Sequence, residues 1–295
     1  MPAQDAAAQP GRPGEVIATI RSLLPSLLPT EQAVARVLLE RSAEIVELSS
    51  QQVAELAGAS RATVVRTCQS LGFSGYQQLR VLLARDAGYA AEAPSSGAHP
   101  APAGAAGIVG ETFQRIAAGV TGMVALLDES AVIGAVEELA VARRVVVLGN
   151  GLSTPLALDA AARLTSVGRP AEAPLDVINQ QITARLLEPA DLVLAISGSG
   201  SNASTLRAVQ AARRASARVI AVTAFARTPL TQLATTNLVV TMPDLTFRDE
   251  VTLTTRLPQA ILIEGLVAAV AERLGETATR ARDLALDAIS ENLGE

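Results

Sequence analysis

The stretch Leu194–Thr205, LAISGSGSNAST, decides how the larger part of the chain folds. Alone, its middle would read as a spacer, because Gly/Ser runs lose much entropy on ordering. Its flanks argue against that. An apolar run, DLVLAIS, leads in, and NASTLRAVQAARRAS, with helical spacing, leads out. A flexible spacer has no reason to interrupt a strand-loop-helix unit. Gly198 and Gly200 let backbone approach a ligand closely, and Ser197, Ser199 and Ser201 add hydroxyl donors. Asn202 can open a helix, whose first N–H groups are unpaired and sit at the positive end of its dipole. Such a turn at the carboxyl edge of a parallel sheet predicts an anion site.

A second stretch repeats the pattern. VVVLGNGLSTPLALDAA runs from strand through glycines and hydroxyls into a helix. Gly149, Gly151, Ser153 and Thr154 are candidates for the other wall of one pocket. Around the two turns, RVVVLG, DLVLAIS, RVIAVTA and NLVVTM read as buried strands separated by helical segments. Short, continuously apolar strands alternating with helices predict a parallel sheet covered on both faces.

Together the two turns resemble the SIS (sugar isomerase) domain, whose motifs are a G-x-G-x-S turn and a later S-x-S-G-x-T turn. Here they stand as Gly149-Asn150-Gly151-Leu152-Ser153 and Ser197-Gly198-Ser199-Gly200-Ser201-Asn202. The resemblance spans about residues 130–273. It implies a three-layer αβα domain with a five-stranded parallel sheet, and phosphate contacts from Ser153, Ser197 and Ser199. Gly151, Thr154, Gly200, Ser201 and Asn202 complete the expected ligand set. Asn202 departs from the family's threonine; it still caps a helix but brings no hydroxyl.

The first ninety residues read differently. They are helical, with no convincing strand. PTEQAVARVLLERSAEIVEL places Val34, Val37, Leu38 and Leu39 on a helical period, with Thr30 as the expected N-cap. SSQQVAELAGASRATVVRTCQSLG then reads as two short helices, capped at Ser49 or Ser50 and at Ser60, with Gly58 in the turn. Val64, Cys68 and Leu71 recur at i, i+4 and i+7 and are expected inside. Arg61, Ala62, Val65, Arg66 and Gln69 are then left outside. Such a face suits the DNA major groove: arginine pairs bidentately with guanine, glutamine with adenine, and small apolar side chains meet the thymine methyl. A small helical bundle with a solvated polar face would show the same pattern. What favours DNA is that VAELAGASRATVVRTCQSLGFSGYQQLR resembles the N-terminal domain of the RpiR/MurR family of bacterial transcriptional regulators, notably in the run LGFSGYQQLR at Leu71–Arg80. The resemblance covers residues 15–88. It implies a DNA reader, with Ser60, Arg61, Ala62, Thr63, Val65, Arg66 and Gln69 as the candidate contacts.

Between the two parts lies GYAAEAPSSGAHPAPAGAAG, small, Pro-rich and aperiodic, which reads as a linker over 89–107. The expected organisation is therefore all-α followed by α/β: a helix-turn-helix domain at 15–88, the linker, and at 108–295 a SIS domain with flanking helices. A homodimer or tetramer is expected through the C-terminal part, with the helices read over Ile108–Leu127 and Arg256–Leu274 as candidate surfaces. The pairing of modules implies a regulator whose grip on a double-stranded DNA operator depends on a phosphorylated sugar.

Composition limits the chemistry. The 295 residues hold one cysteine, Cys68, and one histidine, His99, in the linker. That excludes an internal disulfide or a cysteine metal cluster, and no metal or cofactor is expected. All 24 basic residues are arginine. The first ninety residues are neutral, and the remainder carries the whole net charge of −5, so total charge gives DNA binding no support. No apolar run approaches the roughly 20 residues of a membrane span, and a cytoplasmic location is expected.

Two enzymatic alternatives arise from the second half. A sugar-phosphate isomerase needs a base for the proton beside the carbonyl, and commonly a group to open the ring. Glu250 and Glu264 are the candidate bases; no lysine exists, and the histidine is in the linker. Sensing without turnover is the expectation. A dinucleotide site is suggested by GNGLST, but Thr154 replaces the third glycine, and Glu172 is poorly suited to bind a ribose.

Overall fold

Each apolar run of the second half forms a strand because its side chains find cover on both faces. In a computed structural model, residues 14–42, 44–45, 48–92, 104–242 and 255–293 are described (of 84, 85 and 87–92, the backbone only). β1 (Val145–Gly149), β3 (Leu192–Ile196) and β4 (Arg218–Thr223) are buried almost throughout, and β5 (Thr236–Val239) closes one edge. The other edge is β2, Ala171–Glu172, a two-residue strand. The sheet is wholly parallel, in the order β2-β1-β3-β4-β5.

Strand alternation sorts the core into two layers. Val145, Val147, Leu192, Leu194, Ile196, Ile220 and Val222 face α7 (Glu129–Val141), α8 (Thr154–Ser166) and α12 (Leu257–Leu274). Val146, Leu148, Val193, Ala195, Val219 and Ala221 face α9 (Val177–Arg185), α10 (Ala203–Arg214) and α11 (Pro229–Leu233). A last helix, α13 (Glu276–Asn292), buries Ala278 and comes against Gly168 after α8. The strand order positions a crevice. The chain leaves β1 towards one edge and returns to β3 on its other side. The turns after β1 and β3 therefore diverge, and in open α/β sheets the gap between such turns is where ligands bind.

At the opposite edge, Asp191 ties the sheet together. Its carboxylate accepts from Arg143 Nε and Nη2, each at 2.8 Å, from Arg144 Nε at 3.4 Å and from the Glu188 N–H at 2.9 Å. Burial would raise its pKa, but the Arg143 hydrogen bonds, the Glu188 N–H and the two guanidinium charges outweigh it and hold the carboxyl below the usual range.

The chain divides into two compact units, with the break between Leu126 and Leu127. The first contains α1 (Glu15–Leu23), α2 (Pro29–Glu40), α3 (Ser50–Leu56), α4 (Arg61–Ser70), α5 (Tyr76–Glu92) and α6 (Ala105–Gly119). Ile20, Val34, Leu38, Val53, Val64, Cys68 and Leu79 are fully buried in it. Tyr76 Oη donates to the Leu48 carbonyl at 2.8 Å, fastening α5 beneath the loop before α3.

Two local expectations change. Thr30 does not cap α2: the helix starts at Pro29, whose missing N–H costs nothing there, and Glu31 instead accepts from the Leu28 N–H at 3.1 Å. The helix read over Ile108–Leu127 ends at Gly119 in a short 3-10 turn, Val120–Gly122. His99 and Glu250 lie outside the described residues. Among the described residues, no helix is long and apolar enough to cross a membrane.

Candidate functional site

In the first unit, α3 and α4 form the helix-turn-helix. Ser49 Oγ accepts from the Gln52 N–H while Gln52 Oε1 accepts from the Ser49 N–H, a reciprocal cap. After α3, Gly58 takes a left-handed φ of 60°, and Ala59 N donates to the Ala54 carbonyl at 2.8 Å. That closes the helix and redirects the chain within three residues. Ser60 Oγ then caps α4 by accepting from the Thr63 N–H at 3.1 Å. Val64, Cys68 and Leu71 turn inward. Burial pushes the Cys68 thiol up to about 11, so this cysteine is a packing residue.

Arg61, Ala62, Arg66 and Gln69 are exposed and Val65 is half-buried, so they share one accessible face. Thr63 is different. It is 6% exposed, and its hydroxyl pairs with Ser60 Oγ at 2.9 Å and accepts from Arg66 Nη2 at 3.4 Å. Thr63 therefore orients Arg66 rather than reaching outward itself. The exposed Ser60 hydroxyl is likewise occupied by its cap.

In the second unit, the two glycine turns sit side by side because β1 and β3 are paired neighbours. The first turn needs its glycines. A Cβ on Gly149 would lie 2.6 Å from the Ser153 carbonyl oxygen, and Gly151 has a φ of 60°. The chain then makes a 3-10 turn, Gly151–Ser153, and enters α8 at Thr154 with Pro155 in its first turn. Thr154 Oγ1 donates back to the Gly149 carbonyl at 3.3 Å.

The second turn is clamped from β4 and α11. The Ser197 N–H donates to the Val222 carbonyl, and the Gly198 carbonyl accepts from the Ala224 N–H and from Thr223 Oγ1. Gly200 has a φ of 62°, and a Cβ there would fall 2.2 Å from Thr228 Oγ1. Its carbonyl accepts from Leu230 N at 3.0 Å. Asn202 caps α10, its Oδ1 accepting from the Ser204 and Thr205 N–H groups at 3.1 Å each. Among the described residues, the N–H groups of Gly198, Ser199, Asn202 and Ala203 have no acceptor. Ser153 and Ser197 are largely buried residues whose hydroxyls have no partner there either and remain open to solvent. Ser199 is half-buried, and Ser201 is exposed and bonds back to Ser199. The arrangement offers hydroxyls and N–H donors at the start of a helix, which suits an oxyanion.

A web of amides joins the turns, and sequence reasoning missed it. Asn150 Nδ2 donates to Gln180 Oε1 and to Thr205 Oγ1, each at 2.9 Å. Gln180 Nε2 donates to the Pro174 carbonyl, and Thr205 Oγ1 donates to Asn202 Oδ1 at 3.3 Å. One side chain thus holds the first turn, α9 and the cap of α10 in register. Its partners lie 30 and 55 residues away, beyond the reach of local spacing. Glu264 is exposed and ion-paired to Arg163 at 2.8 Å, and Glu172 pairs with Arg144 at 3.4 Å.

The comparisons with known proteins agree with this division. The helix-turn-helix domain of the rpiR family matches residues 14–89, and the SIS domain matches residues 138–264. The chain is 28% identical over 263 residues to the HTH-type transcriptional regulator TTE0211 of Caldanaerobacter subterraneus subsp. tengcongensis, covering 88% of this chain and 91% of that one. It is 29% identical over 260 residues to the HTH-type transcriptional regulator HexR of Pseudomonas aeruginosa, covering 87% and 89%. In fold it is similar to the Vibrio vulnificus NanR protein complexed with ManNAc-6P, with a TM-score of 0.60, 22% identity, and 95% and 100% of the two chains covered. With both modules matched and their order kept, the chain belongs to the rpiR family of helix-turn-helix transcriptional regulators, and its second module is a SIS domain.

Proposed function

We propose that this chain is a DNA-binding transcription regulator of the cytoplasm whose SIS domain holds a phosphorylated sugar and adjusts operator binding without converting that sugar. The observation that carries the ligand half is the pair of turns at the β1/β3 crevice. Unengaged N–H groups at the start of α10 and the free hydroxyls of Ser153 and Ser197 converge at one sheet edge. A sugar phosphate brings a charge of about −1.5 to −2, which such donors stabilise. That NanR is described in complex with ManNAc-6P supports the effector class.

The DNA half rests on α4. Arg61, Arg66 and Gln69 project from one exposed face of a capped helix, the arrangement by which a second helix reads a major groove. Two-fold operators call for two copies of the reader. The exposed apolar side chains Ile108, Val109 and Phe113 of α6 favour association into a homodimer or a larger oligomer.

Turnover is disfavoured by the charges available. Glu264 is exposed and ion-paired to Arg163, which engages the carboxylate that a proton transfer would need. The ligand acts by binding the two DNA-affinity states unequally, since only differential affinity moves such an equilibrium.

The test uses the full chain. Duplexes selected from a random pool give an operator probe, and a panel of sugar phosphates is titrated against the complex. One of the panel is expected to change DNA affinity. Arg66→Ala is expected to weaken DNA binding about 10- to 100-fold and to leave ligand-induced thermal stabilisation intact. Ser197→Ala is expected to do the reverse. Steady aldose–ketose conversion of any panel member would overturn the reading.

A further inference from the structure

Gln259 sits in the first turn of α12 and is 1% exposed. Its Nε2 and Oε1 are both buried and both without a hydrogen-bond partner, a combination shared by no other side chain among the described residues. Burying an amide unpaired is costly, and folded proteins rarely tolerate it at both ends of one group.

The position of this amide relates it to the glycine turns. Gln259 lies on the inward face of α12 with Leu262, Ile263 and Leu266, which pack in the same core as Ala157 and Ala160 of α8. The two helices run side by side in the same direction. Glu264 pairs with Arg163, and Gly168, after the end of α8, meets Thr277 just beyond the end of α12. Gln259 is five residues before Glu264, about 7.5 Å nearer the helix start at 1.5 Å per residue. That places it level with the first turns of α8, which begin at Ser153 and Thr154 on the carboxyl edge of the sheet.

We infer that Gln259 is a specificity residue for the sugar part of the effector: its buried amide hydrogen-bonds hydroxyls of the sugar whose phosphate the two turns hold. The inference rests on the sugar-phosphate reading above. Its chemistry separates the two ends of the ligand. A phosphate dianion only accepts hydrogen bonds, so it cannot satisfy Oε1. A hydroxyl both donates and accepts, and neighbouring hydroxyls satisfy both ends of a primary amide at once. A site built this way discriminates strongly against ligands lacking the matching group, because the buried amide is then left unpaired.

The experiment compares the full-length wild type with Gln259→Leu and Gln259→Asn by titration calorimetry. The probes are inorganic phosphate, glucose 6-phosphate, fructose 6-phosphate and ribose 5-phosphate. The tightest sugar phosphate is expected to bind Gln259→Leu about 10- to 100-fold more weakly than wild type, while inorganic phosphate changes less than about threefold. The ligand-free Tm of Gln259→Leu is expected at or above the wild-type value, since an unpaired buried amide has gone. Gln259→Asn keeps the amide on a shorter arm and is expected to show the same selective loss, which covers a Leu variant that fails to fold. Undiminished sugar-phosphate binding in the folded variants would overturn the inference, as would an equal loss for inorganic phosphate. Wild type that bound neither phosphate nor any sugar phosphate would overturn the underlying reading, and the inference with it.

Discussion

The polar residues of α4 and those of the two glycine turns are organised in opposite ways. On α4 the backbone is an ordinary capped helix, and Arg61, Arg66 and Gln69 hang from it into solvent. In the turns the backbone itself is the instrument. Gly198 and Gly200 are pinned through their carbonyls to neighbouring elements, and the unengaged N–H groups of the turn are held in place by that pinning. A reader built from side chains tolerates exchange at each position, because removing a side chain leaves its helix intact. A cradle built from backbone does not where an added Cβ would run into packed atoms, as at Gly149 and Gly200.

The sharpest way to break this comparison is Gly200→Ala. The new Cβ would collide with Thr228, and alanine disfavours a φ of 62°. A loss of about 3 kcal/mol is expected in chemical denaturation, together with loss of sugar-phosphate binding. Gly151→Ala is its control: φ is 60°, but nothing lies within 4 Å of the new Cβ, so about 1 kcal/mol is expected. Equal effects would show that steric closeness does not set the cradle.

A second, smaller effect also belongs to the α/β unit alone. Asp191 has a depressed pKa in the folded state, so its stabilisation is full above its unfolded value, near 3.9, and is lost as pH falls through the lower folded value. Asp191→Asn is expected to cost about 2 kcal/mol at pH 7 and to flatten the decline in stability below pH 4. An unchanged acid limb would remove the carboxylate from the account. The smallest effect on folding is expected from Arg66→Ala, within about 0.5 kcal/mol of wild type, although operator binding falls. A large loss of stability there would mean that α4 depends on its outward face and would erase the contrast.

Much of this was legible in the sequence, for a physical reason. β1, β3, β4 and β5 are apolar runs buried on both faces, and such strands announce themselves without partners. The inward set Val64, Cys68 and Leu71 and the Asn202 cap come from local spacing. β2 was not legible: two residues, Ala171–Glu172, carry no pattern and exist only because β1 offers an unpaired edge. Thr63 is a candidate contact only through the family resemblance; local spacing does not show that its hydroxyl is satisfied by Ser60 inside the fold. Gln180, Thr205 and Gln259 were silent for the same reason. A polar residue on a helix reads as solvent-facing until a distant partner, or the lack of one, makes it otherwise.

The web around Asn150 has one consequence for the durability of the protein. Asn150 precedes Gly151, and an asparagine followed by glycine is prone to lose its side-chain nitrogen through attack by the next backbone nitrogen. Both protons of that nitrogen are in use here, one towards Gln180 and one towards Thr205. Deamidation would leave a carboxylate oxygen facing two oxygens that had each accepted a proton, beside the turn proposed to hold an anion. The useful lifetime of the proposed effector site is thus tied to the chemical ageing of a single amide, and the bonds that align the two turns also restrain that ageing.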